Sequence, residues 1–206
     1  MSRSSDPFFR TFHALRIKGF AKADTIAEVA DLPQPLVDDH LTELERRGWA
    51  VFREARQLWQ LTASGCDEHL VSLGQDVGGA ALRSELADRY RQFLAINESL
   101  RSLCAEWQLR DGVANDHTDG AYDAAVVQRL VQLDEAAAPV VTAMGDVLAR
   151  LAPYGPRLAR TCQRVVEGER NMFTGVMCGS YHDVWMELHE DLILTQGIDR
   201  AVEGSI

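Results

Sequence analysis

Two prolines, Pro33 and Pro35, separate two apolar helical patterns, and they restrict the fold of this 206-residue chain more than any other feature. Proline lacks an N–H, clashes with the preceding turn and drives the residue before it into extended geometry, so no helix runs through Leu32-Pro33. Upstream, Thr25-Ile-Ala-Glu28 has the spacing of a capping box, in which Thr25 accepts a backbone N–H and Glu28 reaches back to the cap. Ile26, Val29 and Ala30 continue that helix. Downstream, Gln34-Pro35 opens a second helix, where proline is tolerated in the first turn. Val37, Leu41 and Leu44 form its apolar stripe and Gly48 ends it. An earlier helix carries Phe8, Phe9, Phe12, Leu15 and Ile17 up to Gly19. After Gly48 come two strand-like runs, Trp49–Arg53 and Leu58–Thr62, joined by the four residues 54–57. Helix, tight turn, helix and hairpin is the expected order of the first third.

The stretch TIAEVADLPQPLVDDHLTELERRGWAVFREARQLWQLTASG resembles the winged helix-turn-helix of MarR-like bacterial regulators. The resemblance rests on the helix-turn-helix, the L…LERRGW segment, the hairpin and LTASG taken together, and covers a quarter to a third of the chain. It implies dimeric, sequence-specific binding of double-stranded DNA, with the second helix of the pair in the major groove and the hairpin as a wing.

At 100° per residue, the face opposite Val37, Leu41 and Leu44 holds Pro35, Asp39, Thr42, Glu43 and Arg46, with Gln34 at the start and Arg47 at the end. These residues, with Arg53 and Arg56 of the wing, are the expected DNA contacts. Asp39 and Glu43 would oppose phosphate, although a carboxylate can accept from cytosine N4. Arg46, Arg47, Arg53, Arg56, Lys18 and Lys22 would compensate, the wing arginines through phosphates or the minor groove. A plainer role for Arg46 and Arg47 is to complement the dipole at their helix's C-terminus. Charge also separates along the chain. Residues 1–74 carry 9 Lys+Arg against 11 Asp+Glu, and residues 75–206 carry 12 against 20, so the first part is the one suited to nucleic acid.

Residues 75–206 read as an all-α domain after a winged-helix domain of residues 1–74, which makes the expected fold mainly α. Leu86, Tyr90, Phe93, Asn97, Leu100, Cys104 and Trp107 recur at alternating steps of 4 and 3. That seam suits a long helix packed on another helix or on a twin, with Asn97 either fixing register or meeting a ligand. Residues 111–120 form a turn-rich loop, and Thr118 or Asp119 is placed to cap the next helix, from about Tyr122 to Ala138. Pro139 is expected to begin another helix, Tyr154-Gly-Pro156 to break it, Arg157 to Glu167 to form a short helix, and Asn171 to Thr195 the last long one. No strand is expected in this part. The loop lacks a calcium pattern, because Val126 stands where a bidentate glutamate is needed.

His182 and His189 lie about 20° apart on the last helix, beside Tyr181, Trp185 and Leu192. They are about 10.5 Å apart along its axis, too far for a shared metal ion. An effector pocket walled by His182, Trp185 and His189 competes with core histidines bonded to neighbouring carboxylates. NDHTDGAYDAAV together with SYHDVWMELHEDL resembles the helical C-terminal region of a group of actinobacterial winged-helix regulators. That resemblance implies Trp107, Arg110, Asn115, Asp116, Tyr122, Asp123, Tyr181, His182, Trp185 and His189 as the residues to watch, and of these Trp107, Arg110, Asn115, Asp116, Tyr181, His182, Trp185 and His189 are the expected contacts of a small-molecule effector. The 107–116 segment is expected opposite the last helix. Cys178 and His182 are spaced for contact on one helix face, but nothing orients them, and no nucleophile–base set suggests an enzyme. No metal or cofactor is expected. No apolar run suits a membrane span, and the first twenty residues are too charged for a signal peptide. Four scattered cysteines read as reduced thiols of a cytoplasmic protein. The combined expectation is a cytoplasmic homodimeric DNA-binding regulator, and the alternative is a winged-helix module that binds a protein partner and no DNA.

Overall fold

Asp6 starts the first helix, α1 (Pro7–Lys18): its carboxylate accepts the N–H groups of Phe8 and Phe9 at 2.9 and 3.3 Å. Gly19, at φ 70°, ends it. A two-residue strand follows, β1 (Phe20–Ala21), too short to show a hydrophobic period. The next helix, α2 (Ala23–Ala30), begins two residues before Thr25. The capping box therefore does not form. Asp24 takes the N–H and the hydroxyl of Thr25 at 2.6 and 3.2 Å, an anion in the first helical turn where the dipole favours it. Asp31, in the left-handed region at φ 52°, turns the chain into Leu32-Pro33 and then α3 (Gln34–Arg46). Val37, Leu41 and Leu44 are wholly buried against Phe12, Leu15 and Ile26.

The hairpin forms as β2 (Ala50–Arg53) and β3 (Leu58–Leu61), with Ala50 opposite Leu61 and Arg53 opposite Leu58. β1 adds to the other edge of β3, so the antiparallel sheet has the order β1-β3-β2. Thr62 caps α4 (Ala63–Val77) by accepting from Gly65 N at 3.0 Å. Gly65 is required there, because a Cβ would lie 1.9 Å from the Trp49 carbonyl oxygen. The boundary expected at residue 74 falls inside α4, and the backbone breaks at Gly78-Gly79, both at positive φ.

Helix α5 (Ala80–Gln108) buries its whole seam, Leu86 to Trp107, within the same chain against α6 (Gly120–Val147) and α9 (Tyr181–Gln196). A short hairpin, β4 (Leu109–Arg110) with β5 (Val113–Ala114), links α5 to α6, so the helical half does contain strand. Asp119 caps α6, accepting from Ala121 N and Tyr122 N at 3.1 Å each. Pro139 begins no new helix and lies inside α6. Pro139 and Glu135, whose carbonyl the ring deprives of a donor, are both exposed, so water can satisfy that carbonyl. A 3-10 turn (Ala149–Leu151) leads to α7 (Tyr154–Val166), where Pro156 sits in the first turn and breaks nothing. The last expected helix is divided: α8 (Asn171–Thr174) ends at Gly175, and α9 begins only after Ser180, whose hydroxyl accepts from Asp183 N at 3.1 Å. Cys178 lies in the intervening loop, so it shares no helix face with His182.

This computed structural model describes residues 2–198. Helix takes 72% and strand 8%, a mainly α fold with a small antiparallel sheet. Among the described residues no helix is long and apolar enough to cross a membrane.

Candidate functional site

Three places hold polar chemistry: the outer face of α3 with its hairpin, a cavity between α5 and α9, and a buried charge cluster where α1 and α4 meet the later helices.

Gln34, Pro35, Asp39, Thr42 and Arg46 are exposed along α3, opposite its buried stripe. Glu43 is half-buried and clamped. Its carboxylate accepts from Arg46 Nε at 2.6 Å, Arg46 Nη2 at 2.8 Å and Arg47 Nε at 2.6 Å. The Arg46 and then Arg47 hydrogen bonds hold it down to a pKa of about 2. Arg47 also lies over the Phe8 and Trp49 rings, 4.9 Å from each centroid. Glu43 therefore neutralises the cations expected to compensate it, and Arg47 is held against the core's edge. Arg53 and Arg56 stand exposed on the hairpin and form no ion pair among the described residues. Between α3 and the hairpin runs an open groove of about 670 Å³, walled by Lys22, Gln34, Thr42, Gln57 and Trp59.

The second place is a cavity of about 310 Å³. His182, Trp185, Met186 and His189 of α9 form one wall, as expected for the histidine–tryptophan face. The opposite wall is α5, through Asn97, Leu100, Cys104 and Gln108, and of the expected 107–116 segment only Gln108 reaches it. Trp185 Nε1 donates to Asn97 Oδ1 at 2.9 Å, and Phe93 stacks on Trp185 at 4.7 Å. Asn97 thus fixes the α5–α9 register and also reaches the cavity. His182 Nδ1 is buried without a hydrogen-bond partner among the described residues. Burial raises the Cys104 thiol to about 11, which keeps it protonated.

The remaining expected effector residues lie elsewhere. Tyr181 is fully buried, with its hydroxyl donating to Asp134 Oδ1 at 3.1 Å, and burial raises its pKa far above the ordinary value. Trp107 packs on His117 and Phe173, at 4.5 and 5.0 Å. Arg110 covers the Tyr122 ring at 4.8 Å and binds Asp119 at 2.9 Å. Asn115 donates to Trp107 O at 3.1 Å and to Asp123 Oδ1 at 3.2 Å. Asp116 accepts from Thr118 N and its hydroxyl at 3.0 and 2.8 Å. These residues build the 109–119 connection and the start of α6. Arg110, Asn115 and Asp116 found partners within about ten residues, while Tyr181 and Trp107 packed on distant segments and the cavity was assembled from helices some 90 residues apart.

The third place was not legible in the sequence. His13 of α1 and His69 of α4 stack at 5.1 Å between centroids, with His13 Nδ1 2.9 Å from His69 Nε2. His13 Nε2 lies 3.1 Å from Asp191 Oδ1. Asp191 also accepts from Arg150, from Tyr154 at 3.3 Å and from Thr195 at 3.1 Å. Arg150 binds Asp76 at 3.1 Å and Thr195 at 2.5 Å. His69 Nδ1 has no partner among the described residues, and a bare acceptor costs less than an orphaned donor, which favours a proton on His69 Nε2 donating to His13 Nδ1; His13 Nε2 faces both Asp191 Oδ1 and the Arg150 guanidinium, the latter at 3.0 Å. Burial first, then Arg150, lowers the His13 pKa; burial, then His13 and Arg16, lowers His69 to about 2. Burial opposes ionisation of Asp191, but Arg150 and His13 hold its carboxyl far below the usual range. Beside it, Glu187 takes Lys18 at 2.7 Å and Arg157 at 2.6 Å. This cluster fixes α1 and α4 to α9 and the 3-10 turn.

Among the described residues no three or more His, Cys, Asp and Glu side chains gather as a metal site. Comparisons with protein-family models, curated proteins and solved structures each gave no match.

Proposed function

We propose that the chain is a homodimeric DNA-binding transcriptional regulator acting in the cytoplasm, with a winged helix-turn-helix in its first third and a small-molecule effector site in its helical remainder. One observation carries the reading: the free face of α3, through Gln34 and Thr42, shares an open groove with Gln57 and Trp59 of the hairpin, which also carries the exposed Arg53 and Arg56. In this reading α3 enters the major groove and the hairpin arginines take phosphates or the minor groove. The acidic remainder meets the first third through α1, through the Asp76–Arg150 ion pair of α4 and through the Glu28–Arg160 ion pair of α2, while α3 packs on α1, α2 and β2. The α5–α9 cavity is the effector candidate, since apolar walls with a few polar groups are the usual make-up of small-molecule sites. The α5 seam is consumed inside the chain, so a dimer would use another surface.

The Glu43 clamp favours one second reading, a winged helix that binds a protein partner. It removes two cations from the helix end and leaves Asp39 exposed there. Binding of the full chain to random duplex, measured against salt concentration, separates the two. A DNA reader gives a steep negative slope, and replacing Arg53 and Arg56 with Ala flattens it by about one to two units. Absence of binding at low salt would leave the partner module as the standing reading.

A further inference from the structure

A cleft of about 810 Å³ lies between α2 and α7, and its walls are rich in arginine. Arg10, Arg150, Arg157 and Arg160 line it against two carboxylates, Glu28 and Asp31. Arg150 is fully committed to Asp76, Asp191 and Thr195. The other three are not. Arg160 crosses the cleft to Glu28 at 2.5 Å, with both side chains more than half exposed. Arg10 meets Asp31 at 3.2 Å. Arg157 binds Glu187 through Nη2 and leaves Nε buried with no partner among the described residues. Ser5, on the same wall, is 6% exposed, and its hydroxyl is also buried without a partner among the described residues. Buried donors are nearly always satisfied, and two orphaned donors on one cleft are the pattern a missing acceptor leaves.

We propose that this cleft binds a small oxyanion, a metabolite bearing a phosphate or carboxylate group. The ligand's oxygens take Ser5 Oγ, after a turn about its single χ1 bond, and Arg157 Nε, once its guanidinium turns toward the cleft, since both atoms are closed to solvent as they stand. Arg10 and Arg160 exchange Asp31 and Glu28 for the same ligand. Charge-assisted bonds from a planar guanidinium suit both headgroups. The exchange has a structural consequence. Glu28 and Asp31 sit at the end of α2, and Asp31-Leu32-Pro33 is the turn into α3. Occupancy therefore releases α2 from α7 at Glu28 and the turn from α1 at Asp31. The anion site is independent of the DNA-binding reading.

The test uses the full-length protein, titrated with sodium phosphate and separately with sodium malonate, against sodium chloride at equal ionic strength. The readout is the thermal midpoint, so DNA plays no part. A millimolar site raises Tm by about 5 °C at about 20 mM anion, saturably. The anion giving the larger shift identifies the headgroup. Ser5→Ala is the decisive variant. It removes an unsatisfied hydroxyl, so the anion-free protein keeps or gains stability, while anion affinity falls about tenfold. Arg160→Gln, at an exposed position, weakens binding in the same direction. The proposal is overturned if neither anion raises Tm beyond chloride, or if Ser5→Ala and Arg160→Gln respond as the parent protein does.

Discussion

Lowering the pH from 7.5 to 5.5 should loosen the junction between the first third and the later helices through His13 and His69. Both rings are buried, and their pKa values lie below 6.5 in the fold, His69 at about 2. In the unfolded chain each returns to about 6.5. The unfolded state therefore takes up more protons as the pH falls, and stability present above about pH 7.5 is lost below pH 6.5. Between pH 7.5 and 5.5 His69, which stays neutral in the fold, forfeits on the order of 1 kcal/mol, and His13, held below its ordinary value, adds a loss of the same sign. His40, half-buried and 2.8 Å from the Thr11 hydroxyl, adds a smaller loss of the same sign. The Asp191 carboxylate stays ionised across this window and leaves the difference unchanged. Urea unfolding at both pH values measures the effect. His69→Phe fits the aromatic surroundings of Phe9 and Phe12 and removes one titrating ring. The variant should show a clearly smaller pH-dependent difference than the parent. If its pH dependence matches the parent's, His69 does not stay neutral in the fold and the reasoning fails.

Asp191→Asn should destabilise the protein by about 3–5 kcal/mol, because it leaves the buried Arg150 guanidinium with Asp76 as its remaining carboxylate; a change under about 1 kcal/mol in a urea titration would show that the cluster is not electrostatically coupled. Glu43→Gln should release Arg46 and Arg47, raise affinity for random duplex at low salt and steepen the salt slope by about one unit; unchanged affinity would place that end of α3 away from DNA.

Local rules were enough wherever a residue's partner lay within a turn or two. Pro33 and Pro35 set the break between α2 and α3, Val37, Leu41 and Leu44 set the buried side of α3, and the seam from Leu86 to Trp107 set the inner face of α5. The same rules failed where neighbouring groups competed. Asp24 displaced the capping box expected at Thr25, and solvent exposure let Pro139 remain inside α6. Gly175 and Ser180 divided the last helix because a side chain at 175 would strike the Asn171 carbonyl, at 2.4 Å, while the Ser180 hydroxyl was placed to cap a new start.

The periodicity of apolar residues determined which segments are helical and which side each one buries, since that information is repeated every turn of the chain. It carried no record of which charged side chains would meet. His13, His69, Asp76, Arg150 and Asp191 come from four separate segments, and each alone resembles an ordinary surface residue in sequence. Packing brought them together, and removal from water then made their pairing obligatory. The α5 wall of the cavity and the arginine-lined cleft arose in the same way, from helix packing that no local pattern encodes.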